Sequence, residues 1–186
     1  MAVLNLTQVL GEAGRESNTG TIDISSNPLG TVDAVDEWYA FRFQNVTIAP
    51  GSTINTAVLS VVCGGNTTDE PLHLFYGHDH DNAPVLTTGA NDISARTKTT
   101  ATVLWNNTDL GAPGTFSPPD MAAIVQEIID RPGWASGNAI VIFCNGNADG
   151  TRDLAVGNGN NTFDIDYTAL VVVDTYMPPG MVAGVA

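Results

Sequence analysis

The residues with the types and spacing to do chemistry gather around GHDHDNAP, positions 77–84. All three histidines, His73, His78 and His80, lie within eight residues of one another, beside Asp79 and Asp81. His78 and His80 share a face on an extended strand, as two imidazole ligands of a transition metal would. His73 stands apart, and no Cys or His elsewhere in the sequence completes a zinc set. Asp79, Asp81 and Asn82 offer hard oxygen ligands on one loop, which suits calcium better. A calcium loop would also carry a Gly turn and a bidentate Glu in register, and these are missing. A solvated acidic loop with Asx-type turns is the simpler reading. The expectation is therefore no cofactor, with calcium on Asp79, Asp81 and Asn82 as the alternative.

Other reactive types are scattered. Asp164 and Asp166 alternate along one strand and so share a face, as do Glu127 and Asp130 on the polar side of a helix. A glycosidase needs two acids across a cleft, and an exposed edge or face explains both pairs equally well. No GxSxG elbow occurs, and neither Cys63 nor Cys144 has a base nearby in sequence. The two cysteines close apolar runs and read as buried thiols, a disulfide being the less favoured option. The chain is expected not to be an enzyme. For a ligand, Trp38 is the best aromatic platform: it faces away from Tyr39, Phe41 and Phe43, and Arg42 shares its face. Trp38 packed beneath a loop or at a subunit contact is the ordinary alternative. Trp105 and Trp134 read as core.

The elements that must position these residues are nearly all strands. Val3–Val9, Thr21–Ile24, Glu37–Val46, Ile54–Cys63, Leu72–Gly77, Thr102–Trp105, Asn138–Cys144, Arg152–Val156 and Thr162–Val173 alternate or run apolar between Gly, Pro and Asn punctuation. Gly11–Gly20 and Asn106–Phe116 read as loop, and so does the long polar stretch from His78 to Thr100, the kind of length that carries function or its own order. One helix stands out at about 118–130. Ser117 would cap it, Pro118 would occupy its first turn, and Asp120 would complete a capping-box-like pattern. Met121, Ile124, Val125, Ile128 and Ile129 form its apolar stripe, and Pro132–Gly133 ends it. About nine or ten strands and one docked helix predict an all-β, antiparallel β-sandwich of residues 1–176, with 177–186 as an apolar C-terminal extension.

Composition narrows the partners. Six Lys plus Arg stand against twenty Asp plus Glu, a net charge of −14. The six cations are spread singly, so nucleic acid and anionic membranes are poor partners. No run approaches the ~18 apolar residues of a membrane span, and the first residues lack the basic start and apolar core of a signal peptide.

From Gly11 to Val173 the chain resembles a jelly-roll domain of large secreted and surface proteins of marine bacteria, a module similar to carbohydrate-binding modules. The matching pieces are GTIDISSNPL, FRFQNVTIAPGSTI, the loop around GHDHDNAP, ISARTKTTATVLW, IVQEIIDRPGWASGNAIVIF and DYTALVVV. The resemblance implies a jelly roll whose helix crosses one end. Starting at its own Met without a leader, the chain also looks like a phage capsid decoration or tail-associated protein. The expected role is a virion structural protein that self-associates and contacts other virion proteins such as a major capsid protein, through MAVLNLTQV and MPPGMVAGVA. The alternative is a carbohydrate-binding module, extracellular or at the cell surface, binding glycans near Trp38 and the His78–Asn82 loop.

Overall fold

The computed structural model of the chain describes residues 1–9, 11–24, 37–63, 72–106, 114–146 and 161–170. These form ten strands and one helix. The strands are β1 (Ala2–Thr7), β2 (Ala13–Glu16), β3 (Ile22–Asp23), β4 (Trp38–Phe43), β5 (Thr53–Cys63), β6 (Leu72–His78), β7 (Lys98–Asn106), β8 (Gly114–Phe116), β9 (Ile140–Gly146) and β10 (Thr162–Thr168). The helix, α1 (Ala122–Ile129), lies between β8 and β9 in the chain.

Two antiparallel sheets face each other, one ordered β1-β10-β5-β8 and the other β3-β2-β4-β9-β6-β7. The pairings are nested: β1 with β10, β4 with β9, β5 with β8 and β6 with β7. A hairpin ribbon folded over on itself in this way is the jelly-roll form of the β-sandwich. The strands alternate as their sequences require. Leu6, Ala57, Leu59, Val61, Phe163 and Ile165 point inward from the four-stranded sheet, against Tyr39, Phe41, Phe43, Phe75, Ile140, Ile142 and Cys144 from the other. Phe43 meets Phe163 across the core with ring centroids 5.3 Å apart. Trp105 and Trp134 are buried in the same cluster, and the Trp134 indole N–H donates to the Ile48 carbonyl at 3.0 Å.

The helix closes one end of this core. Ile124, Val125, Ile128 and Ile129 are buried, and at ~1.5–3 kcal/mol for each such side chain their packing outweighs the weakness of so short a helix in isolation. It crosses β6 at Gly77, where a Cβ would stand 2.7 Å from Ile128 Cδ1 and 2.8 Å from Ile124 Cγ2. The helix starts later than its sequence predicts, at Ala122 rather than about 118, and Ser117 does not cap it. Residues 114–121 run along β5 instead: β8 pairs with Val61–Cys63, and Met121 N–H donates to the Ala57 carbonyl at 2.8 Å. Asp120 Oδ1 accepts from Ala57 N–H at 2.7 Å and from Ala122 N–H at 3.0 Å, joining sheet and helix.

Two strands lie where the sequence reads as loop, β2 and β8, and β7 begins at Lys98, ahead of the expected Thr102. Cys144 is a free, buried thiol, and burial raises its pKa. The expected strand Arg152–Val156, the end of Thr162–Val173 and the extension 177–186 lie outside the described residues.

Candidate functional site: the outer face of the six-stranded sheet

All five residues singled out from the sequence, Trp38, Arg42, Asp79, Asp81 and Asn82, belong to one region: the outer face of the six-stranded sheet and the segment 79–97 that lies over it. Ala40, Val141 and Phe143 project from this face and form a second apolar cluster with Ala83, Leu86 and Ile93 of the segment, flanked by Trp38 and Tyr76.

The segment is held down by ionic side chains placed inside the fold. The Arg42 guanidinium, on the sheet, donates to the Ala83 carbonyl at 2.9 Å and pairs with Glu12. Glu16, 2 % exposed, accepts from Ile93 N–H and Ser94 N–H, each at 2.8 Å, and so caps the turn that they begin. Arg96 donates to the Pro84 carbonyl at 3.0 Å and the Val85 carbonyl at 2.7 Å, and pairs with Asp92 at 2.8 Å. Although burial alone would raise it, Asp92 is held below its usual pKa by Arg96 and by Thr87 N–H.

Lys98 behaves like an ion bound by the backbone. Its Nζ donates to the carbonyls of Ile93 at 3.0 Å, Ser94 at 2.5 Å and Arg96 at 2.7 Å. It also lies 4.4 Å from the centre of the Trp38 ring and 5.0 Å from that of Phe143, within cation–π range. Burial lowers its pKa to about 8, opposed by nearby Glu16.

At the start of the segment, Arg131 pairs with both Asp79 and Asp81, the latter at 2.7 Å. Asn82 Oδ1 accepts from Ala139 N–H at 2.9 Å, and the Asp81 carbonyl accepts from Asn138 Nδ2 at 3.0 Å. The oxygens that the sequence offers to calcium thus bind a guanidinium and the chain leading into β9. Among the described residues, no three His, Cys, Asp or Glu side chains converge on one point. His78 and His80 do come together, with ring centroids 5.1 Å apart. His78 is buried, however, and packs on Phe143 at 5.6 Å. Burial, then Arg96, His80 and Lys98, lower its pKa to about 3.

Beyond the segment, no described element covers this face. Leu74 and Tyr76 of β6, Leu104 of β7 and Asn145 of β9 line a shallow groove of about 210 Å³, smaller than the ~300–1,000 Å³ of an enclosed small-molecule pocket. Leu104 is 55 % exposed. Trp38 stands at its margin, opposite Asn145 in register and 5.8 Å from Tyr76 between ring centroids. Of the two expected ligand residues, Trp38 therefore lies beside open surface. Arg42 does not: it is 9 % exposed and fully engaged beneath the segment.

The groove residues went unnoticed in the sequence because both faces of β6 are apolar. Leu74 and Tyr76 read as one face, yet Phe75 between them is the residue that enters the core. Asp164 and Asp166, the candidate hydrolytic pair, lie on the outer face of the other sheet, opposite Asn5 and Val3. Comparison of the chain with protein-family models gives no match, and comparison with curated proteins gives none either.

Proposed function

We propose that this is a non-enzymatic structural protein of a phage particle, a capsid decoration or tail-associated subunit that works through contacts with further copies of itself and with a major capsid protein. One observation carries the reading. Among the described residues, the six-residue strand β1, AVLNLT, forms the edge of its sheet, and it carries no charge or proline. Soluble monomers usually blunt such an edge, and an unblunted one is a pairing surface. The cations point the same way. Among the described residues, Arg15, Arg42, Arg96, Lys98 and Arg131 are all bound within the fold, so a contact through an uncharged strand needs none of them. The test is light scattering of the full chain and of a form lacking 178–186, followed by co-sedimentation with phage capsids. An oligomer that binds capsids supports the proposal. A monomer that ignores them overturns it.

The groove favours a second reading, a carbohydrate-binding module of a secreted or surface protein, with Trp38 and Tyr76 as its aromatic wall. Retention on an insoluble polysaccharide, lost in Trp38→Ala, would support it. Glycoside turnover abolished by Asp164→Asn or Asp166→Asn would overturn both readings.

A further inference from the structure

The backbone of β1 specifies how its open edge is used. Gln8 N–H donates to the Asn161 carbonyl at 2.9 Å, in register with the pairing Thr7↔Thr162. In an antiparallel ladder, residues that exchange hydrogen bonds alternate with residues that do not. Ala2, Leu4 and Leu6, like Gln8, therefore bond to β10. Val3, Asn5 and Thr7 turn their N–H and C=O groups the other way, where no described strand pairs with them. The other long edge of the sandwich, β7, is treated differently. Glu127 of α1 accepts from Thr100 N–H at 2.8 Å and Ala101 N–H at 2.7 Å and blocks it. The remaining edges, β3 and β8, are two and three residues long.

We infer that the β1 edge binds the β1 edge of a second copy of this chain across a two-fold axis, joining two four-stranded sheets into one of eight. This rests on the self-assembling role proposed above and names its contact. A strand added here must bond through odd-numbered residues, and β1 supplies its own complement. With Asn5 opposite Asn5 of the second copy, Val3 meets Thr7 and Thr7 meets Val3, each pair exchanging two hydrogen bonds. The same register sets Leu4 beside Leu6 of the other copy on the inner face, so the apolar row continues across the junction. Leu4 is only partly buried in one copy and gains cover. No charge lies on either strand. The closest fixed charges flanking the axis, Asp164 of each copy, are three strand spacings apart, ~14 Å. At low salt the Debye length, ~30 Å at 0.01 M, exceeds this spacing and their repulsion is felt, whereas at 0.5 M it is screened, so added salt strengthens the contact.

Sedimentation equilibrium of the full chain over a wide concentration range, in low salt and in 0.5 M salt, tests this. Wild type should dimerise, more tightly in high salt. Asn5→Pro removes the N–H that faces the open edge and leaves the bonds to β10 in place, a position where an edge strand tolerates proline. It should weaken dimerisation at least ~tenfold, while Asn5→Ala, which keeps the N–H, should not. Asn5→Cys should form an intermolecular disulfide on mild oxidation, which reports the register without depending on the proline variant. A wild-type monomer at every concentration overturns the inference. So does an oligomer that survives Asn5→Pro with Asn5→Cys uncross-linked, but that result moves self-association to another surface and leaves the structural role standing. Capsid co-sedimentation then reads that role separately.

Discussion

Acid should loosen the outer face of the six-stranded sheet, and His78 sets by how much. Its imidazole is 4 % exposed, its Nδ1 is buried without a hydrogen-bond partner, and its pKa falls from 6.5 to about 3. The titratable and charged groups facing it are Arg96, His80, Lys98 and Asp92. Because the folded pKa lies below the unfolded one, the unfolded chain binds the proton first. Stability is therefore complete above pH ~6.5 and falls as pH drops from there toward 3. At pH 5 the unfolded imidazole is almost fully protonated and the folded one almost not at all, so about 2 kcal/mol is lost relative to pH 7.5. That is a large share of the ~5–15 kcal/mol by which a domain is stable. Phe is the informative replacement. It fits the stack on Phe143 and His80, cannot protonate, and removes a polar atom that has no partner to lose. Urea unfolding followed by tryptophan fluorescence, at pH 7.5 and 5.0, gives the double difference between wild type and His78→Phe. Other titrating groups cancel, and wild type should lose about 2 kcal/mol more than the variant. Equal losses in the two proteins would refute the assignment of a buried, neutral His78.

Gly77→Ala places a methyl against Ile124 and Ile128 and should cost ~1–3 kcal/mol as the helix is pushed off β6, read from the urea midpoint. Arg131→Gln leaves Asp79 and Asp81 without their counter-charge. Since these groups are partly exposed, stability should fall by only ~1 kcal/mol or less. Millimolar calcium should then raise the Tm of this variant and leave that of wild type unchanged. Glu127→Ala uncovers two N–H groups of β7 and should create self-association that wild type lacks at that edge, seen by light scattering in a β1-blocked Asn5→Pro background.

The sandwich was legible because most strands carry an alternation or an apolar run that only a sheet can use. Trp38 separated from Tyr39, Phe41 and Phe43 onto the opposite face as their spacing requires, and the helix stripe Ile124, Val125, Ile128, Ile129 entered the core as a set. What escaped was decided by partners distant in sequence. β2, with the sequence AGRE, has no strand signature and exists because β4 offers it a ladder. Ser117 looks like a cap but is drawn along β5, and Met121 stands at the N-cap, with Asp120 before it accepting from Ala122 N–H. The stretch 78–100 was recognisable as long and polar, of a length that carries function or its own order. That Arg131 would neutralise Asp79 and Asp81 was not, because the three are brought together only when the helix end meets the loop. Arg42 looked available on the Trp38 face for the same reason: nothing in its neighbourhood reveals that residues 83–93 fold over it.

The nested pairing also fixes the order in which the protein can form. β1 is synthesised before the other described strands, yet its neighbour in the sheet is β10, from Ala2 against Tyr167 to Thr7 against Thr162. Joining them closes nearly the whole described chain into a loop, the slowest kind of contact to make. The uncharged β1 is thus separated from its described partner by most of the chain's synthesis.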